Sequence, residues 1–159
     1  MTRPPRLKVA LDTSCLVPLF VDNGFQDATR AECERLRRQN ALFVVATHAL
    51  LECFSVLTRM PPPYRVDPET AERLLLENFS QDAEIPPVGP ELLWSSIREL
   101  VSQGMGGGKV YDAVIARASF HAGATVLLTW NVRDLLSVAP EGLDVLTPPE
   151  HATRAPRLH

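Results

Sequence analysis

The chain has 159 residues, 45% apolar and 22% charged, with a formal net charge of −3. That length fits one sizeable core and not two ordinary domains, and the composition excludes global disorder. A net negative charge also argues against a protein that coats nucleic acid indiscriminately.

Fourteen of the sixteen basic residues are nevertheless arginine, the side chain suited to bidentate phosphate or carboxylate contacts. The longest apolar runs, residues 41–46 and 125–130, fall far short of the roughly 20 residues that cross a bilayer, so no membrane partner is expected. Asp12 interrupts the first apolar run too early for a signal-peptide core. Cys15, Cys33 and Cys53 lack CxxC spacing, which points to small buried side chains in a reducing cytoplasm rather than a disulfide framework or thiolate zinc site.

Residues 7–12 read as a short buried strand with Asp12 at its carboxyl end, and residues 13–20 as a helix capped by Thr13 or Ser14. Residues 27–40 form a polar helix with Ala31, Leu36 and Cys33 on one side. Residues 42–47 are a second strand, running at once into a helix over 48–59 that Pro61, Pro62 and Pro63 stop for want of amide protons. Asp67 and Pro68 open the next helix, whose apolar positions 71, 74, 75 and 79 have helical spacing.

Residues 83–88 are a strand candidate that Pro86 and Pro87 confine to an edge. A helix over 90–103 carries Leu92, Leu93, Ile97, Leu100 and Val101 and ends in the run Gly104-Met105-Gly106-Gly107-Gly108. Residues 110–122 form a further amphipathic helix ended by Gly123, 125–130 an apolar strand and 143–146 a shorter one. Residues 1–148 are expected to make a single domain and residues 149–159 a flexible tail. Alternating strands and helices predict an α/β fold with a mostly parallel central sheet between helical layers, in which ligands sit outside the carboxyl ends of the strands.

Four segments each end on an oxygen-bearing side chain: Val9-Ala10-Leu11-Asp12, His48-Ala49-Leu50-Leu51-Glu52, Gly107-Gly108-Lys109-Val110-Tyr111-Asp112 and Val126-Leu127-Leu128-Thr129-Trp130-Asn131, the last continuing to Asp134. Burying carboxylates in apolar surroundings is expensive unless cations or hydrogen bonds compensate. Oxygen donors without cysteine or paired histidine favour Mg²⁺ or Mn²⁺ over zinc. Such an ion activates water and bridges phosphate oxygens, the requirement for phosphodiester hydrolysis.

Each acid also fits an ordinary structural role. Asp12 could be a helix cap, Glu52 a partner of Arg59, Asp112 a first-turn acid at a helix N-terminus, and Asn131 with Asp134 the start of a short helix. The glycine run is not a phosphate loop, because Gln103 and Val110 stand where glycine and Ser or Thr are needed. A dinucleotide fingerprint would follow a strand, whereas here a helix precedes it. A phosphoaspartyl enzyme would want an aspartate where Ser14 stands. His48, His121, His151 and His159 have no paired zinc spacing and no GxSxG partner. Trp94 and Trp130 read as core or interface anchors rather than base-stacking platforms.

Read together, Leu11-Asp12-Thr13-Ser14, Ala49-Leu50-Leu51-Glu52 with Ser55-Val56-Leu57-Thr58-Arg59, Gly108-Lys109-Val110-Tyr111-Asp112-Ala113 and Thr129-Trp130-Asn131-Val132-Arg133-Asp134 resemble the PIN domain, most closely the VapC-type toxins of bacterial toxin–antitoxin pairs. The resemblance spans residues 9–148. It implies a three-layer α/β/α sandwich and a Mg²⁺- or Mn²⁺-dependent endoribonuclease acting on RNA. Asp12 and Asp112 match the aspartates that hold metal, and Glu52 matches the acid that completes the cluster or orients the attacking water. Thr13, Ser14 or Thr129 would bond the cluster or the scissile phosphate.

The fourth position departs from the family pattern, with Asn131 where many members carry aspartate and Asp134 three residues later. Either could complete the cluster, and a second metal site stays open. The resemblance further implies a cognate antitoxin that places a basic side chain among the acids. It also implies a homodimer built through the helices at 67–80 and 90–103. Arg59, Arg65, Arg117 or Arg133 would neutralise flanking phosphates. The competing expectation is a catalytically weak PIN-like module that binds a protein partner or RNA.

Overall fold

The computed structural model describes residues 4–154. Strand β1 (Lys8–Leu11) leads into α1 (Thr13–Leu16), which gives way to a 3-10 turn (Val17–Leu19). The helix expected to reach residue 20 stops early because Pro18 has no amide proton to continue it. Helix α2 (Gln26–Arg38) ends before Asn40, which takes φ +59°, a left-handed conformation that asparagine tolerates. Then come β2 (Leu42–Val44), α3 (Thr47–Arg59), α4 (Pro68–Phe79), β3 (Ala83–Glu84), α5 (Pro90–Ser102) and α6 (Lys109–His121). The chain closes with β4 (Val126–Leu128), α7 (Val132–Leu136), β5 (Asp144–Leu146) and α8 (Pro148–Arg154).

The five strands form one sheet in the order β3-β2-β1-β4-β5, and every pairing is parallel. The expected mostly parallel sheet is therefore wholly parallel, with β3 at an edge and cut short before Pro86. Val9, Ala10, Val44, Leu127 and Leu128 are fully buried, as strands covered by helices on both faces must be. Crossovers run one way from β1 through β2 to β3 and then return across β1 to β4 and β5. Right-handed connections thereby put α2 and α4 on one face and α5, α6 and α7 on the other. The reversal leaves a crevice between the carboxyl ends of β1 and β4.

Two burial expectations are corrected. On α2 the inward face carries Glu32 with Cys33 and Leu36, while Ala31 is exposed. Glu32 is compensated both within its own helix and from far along the chain: Arg35 Nε donates to its Oε2 at 2.9 Å and Arg35 Nη2 to its Oε1, and His151 Nδ1 lies 2.6 Å from Oε1. His151 belongs to α8, so residues 148–154 form a docked helix where a loose tail was expected; residues 155–159 lie outside the described part. On α5, Leu93, Ile97 and Val101 are exposed and only Leu100 of the expected stripe is fully buried.

All three cysteines are buried and free, and burial pushes the Cys33 and Cys53 thiols up to about 12. They are inert packing residues. No helix among the described residues is long and apolar enough to cross a membrane.

Candidate active site

Leu11 is the last residue of β1, and Asp12 extends the ladder by one bond, its amide donating to Leu128 O at 3.0 Å. The carboxylate is thereby delivered to the crevice between β1 and β4, 3% exposed. Asp12 also caps α1, accepting weakly from Ser14 N at 3.4 Å. The cap role and the site role coexist.

Its Oδ2 is held by two hydroxyls, Ser14 Oγ and Thr129 Oγ1, each donating at 2.9 Å. Those hydroxyls are themselves fixed, because Trp130 N donates to Ser14 Oγ at 2.8 Å and Asn131 N donates to Thr129 Oγ1 at 2.9 Å. With both hydroxyl protons committed to Asp12, the 3.1 Å approach of Ser14 Oγ to Thr129 Oγ1 is a contact between acceptors. Asp12 Oδ1 receives no hydrogen bond from the described residues. One oxygen is locked and the other is left for something else.

Asp12 lines a pocket of about 270 Å³ together with Thr13, Ser14, Asn23, Glu52, Asp112 and Asn131, with Val17, Val56 and Met60 as its apolar wall. Asp112 enters from the first turn of α6 and has no hydrogen-bond donor among the described residues. Burial first, and then the charges of Asp12, Asp134 and Glu52, push its carboxyl up to about 6, against a smaller opposing effect of Lys109. A carboxyl so placed lacks a cation.

Glu52 reaches the same pocket from the second turn of α3. Its helix neighbours divide: Cys53 and Leu57 are buried, whereas Leu51 and Phe54 are exposed. Its partner is not Arg59 but His48, one turn earlier, with Nε2 3.5 Å from Oε2. The i, i+4 spacing of His48 and Glu52 was the available signal for that pair.

The fourth corner is divided by the fold. Asn131 lines the pocket. Asp134 does not: it faces Lys109, with Oδ1 3.3 Å from Nζ, and its side chain is 59% exposed. Thr13 lines the pocket but bonds Ala49 O of α3 at 3.5 Å rather than the acids. None of Arg59, Arg65, Arg117 and Arg133 lines the pocket; Arg65 donates to Met60 O and Arg117 to Ser95 Oγ. Asn23, Val56 and Met60 were not anticipated. Val56 and Met60 follow Glu52 at successive helical turns, a spacing that shares its face.

The donor set is all oxygen, three carboxylates and an amide, which suits a hard cation. The unbonded Asp12 Oδ1 and the donor-less Asp112 carboxyl fit that group. Among the described residues no three His, Cys, Asp or Glu side chains are gathered as a ready metal cage.

The PIN domain profile matches residues 9–139. Ribonuclease VapC27 of Mycobacterium tuberculosis is 37% identical over 122 residues, covering 74% of this chain and 78% of that protein. Among solved structures, the fold resembles M. tuberculosis VapC20, described as a Sarcin-Ricin loop cleaving toxin, with TM-score 0.64 and 16% identity over 84% of this chain and 97% of that one. It also resembles VapBC-1 from nontypeable Haemophilus influenzae, with TM-score 0.63 and 18% identity over 90% of this chain and 99% of that one.

Proposed function

The chain belongs to the PIN-domain family, and on that premise we propose that it is a metal-dependent endoribonuclease, the toxin of a toxin–antitoxin pair. The observation that carries this is the asymmetry of Asp12: a buried carboxylate with Oδ2 locked by two hydroxyls and Oδ1 free, opposite an Asp112 whose carboxyl is pushed up to about 6. The similarity to Ribonuclease VapC27 supports RNA as the substrate.

Asp12, Asp112 and Glu52 would hold Mg²⁺ or Mn²⁺, with the Asn131 carbonyl oxygen as a neutral fourth donor. The bound ion supplies a Lewis acid for the phosphodiester and a water of lowered pKa. Ser14 and Thr129 fix the plane of the Asp12 carboxylate, so only Oδ1 is presented. Asp112 is short of a compensating charge, and a cation beside it would draw its carboxyl back down toward the ordinary carboxylate range. Glu52, partly exposed and paired loosely with His48, is free to accept a proton or a hydrogen bond from the attacking water.

A cognate antitoxin partner is supported by the likeness to VapBC-1 and by an apolar groove of about 490 Å³ between α3 and α4, lined by Leu51, Phe54, Leu76 and Ile85. Homodimerisation is supported by the exposed Leu93, Trp94, Ile97 and Val101 of α5. The working unit is taken as one domain that includes the docked helix α8, acting in the cytoplasm.

The test is incubation of total RNA with the purified protein in Mg²⁺ or Mn²⁺, followed by mapping of new 5′ ends. Discrete cleavage, abolished by EDTA and by Asp112→Asn, is the expected result. Equal cleavage in EDTA would sink the metal-dependent mechanism.

A further inference from the structure

Next to the acid pocket lie two rings that the chemistry above does not use. His48 and Tyr111 are stacked face to face, with centroids 4.5 Å apart and planes at 2°. They come from the N-terminal turns of α3 and α6, and each is tied to an acid. Tyr111 precedes Asp112, and His48 contacts Glu52. Tyr111 is nevertheless 53% exposed, and its hydroxyl has no hydrogen-bond partner among the described residues. Beneath the pair is an apolar hollow of about 270 Å³ walled by Leu51, Leu93, Val110 and Val114.

We infer that Tyr111, held flat by His48, is the stacking platform for an unpaired nucleobase adjoining the phosphate bound at the acids. This rests on the ribonuclease activity proposed above. One face of the tyrosine ring is covered by imidazole, which fixes its plane, and the exposed remainder is a rigid aromatic surface beside the pocket. Tyr111 adjoins Asp112 in the chain and stacks on His48, which contacts Glu52, so the ring pair is tied to two acids of the pocket and is offered to a base flanking a phosphate held there. Every base has a π-face, and stacking on an aromatic side chain needs no edge recognition. Single-stranded RNA with splayed bases is the substrate form such a surface accepts.

The other aromatic beside the site is already used. Trp130 stacks on Phe25 at 4.3 Å and donates Nε1 to Thr29 Oγ1 at 3.0 Å, so it belongs to the packing between α2 and the β4 exit. Tyr111 is the ring left with a surface to offer.

The experiment uses a short single-stranded RNA carrying 2-aminopurine, whose fluorescence falls on stacking, titrated with the protein in EDTA, alongside cleavage in Mg²⁺. Quenching by the wild type is expected. Tyr111→Ala should weaken binding and raise KM on the order of 10-fold while kcat changes little, and Tyr111→Phe and Tyr111→Trp should restore both. Thermal melts check that each variant folds. If the wild type cleaves RNA but gives no quenching, or Tyr111→Ala binds and cleaves as the wild type does, the platform is wrong and the ribonuclease activity stands. If the wild type neither binds nor cleaves RNA, the functional proposal itself fails. Loss of a co-purifying antitoxin from Tyr111→Ala with RNA affinity unchanged would overturn the platform in favour of a protein contact.

Discussion

Asp12 and Glu32 are each 3% exposed, yet the chain treats the two carboxylates in opposite ways. Glu32 receives the Arg35 guanidinium on both oxygens and His151 on one. Asp12 receives only hydroxyls and an amide, all on Oδ2, and looks across a pocket at two further acids. A carboxylate meant to hold helices together is supplied with its cations by the sequence itself. Asp12 keeps one oxygen without a hydrogen bond and has no cationic partner among the described residues.

That contrast can be broken at its strongest points first. Arg35→Met should destabilise the protein by about 3 kcal/mol, the low end of the cost of removing one partner of a buried pair, because Arg35 is partly exposed and His151 stays. Urea denaturation reads this, and cleavage by the folded fraction should be unchanged. Asp12→Asn should do the reverse, lowering cleavage by more than about 100-fold, beyond the loss typical of an outer partner, at little cost in stability. If Asp12→Asn unfolds the protein while Arg35→Met does not, the two carboxylates have been assigned the wrong way round.

Asp112 sharpens the same point through pH. Its carboxyl is raised from 3.8 to about 6 in the folded protein, so between those values the native state binds more protons than the unfolded state. The metal-free protein should therefore gain stability as pH falls through about 6 and lose it as pH rises through the same point. Asp112→Asn should remove this dependence and raise the stability of the metal-free protein at neutral pH by about 1 kcal/mol, discounted for partial exposure. Added Mg²⁺ should stabilise the wild type and not the variant.

Thr129→Val removes one of the two hydroxyls that lock Oδ2 and should slow cleavage roughly 10-fold by loosening the Asp12 plane. The smallest effect separates the two claimants to the fourth corner. Asp134→Asn should change Mn²⁺ affinity by less than about 2-fold, since Asp134 lies at the surface against Lys109. Asn131→Asp should tighten it by adding a charge at the pocket wall. Calorimetric titration with Mn²⁺ compares the pair directly, and a larger loss from Asp134→Asn would return Asp134 to the cluster.

Much of this was legible along the chain because it is local. Val9-Ala10-Leu11 before Asp12 and Val126-Leu127-Leu128 before Thr129 are short apolar runs that end on polar residues, so those residues fall at the carboxyl edge of whatever sheet the runs form. The prolines at 61–63 and the Asp67-Pro68 cap mark helix ends for reasons contained within a few residues. Boundaries were less legible. Pro18 shortens a helix that apolar pattern alone extends, and the exposed face of α5 looks like core in one dimension.

The sequence by itself determined the order of elements, the parallel α/β class and where Asp12, Glu52 and Asp112 fall on those elements, because backbone hydrogen bonding and apolar periodicity act over neighbouring residues. Only the tertiary structure decided how the buried acids Asp12 and Glu32 are partnered. Thr129 reaches Asp12 across 117 residues and His151 reaches Glu32 across 119, and no spacing rule encodes contacts that distant. The separation of Asn131 from Asp134 has the same origin: Asn131 is the non-helical residue before α7 and lines the pocket, whereas Asp134 lies within the helix and meets Lys109, a residue 25 positions earlier.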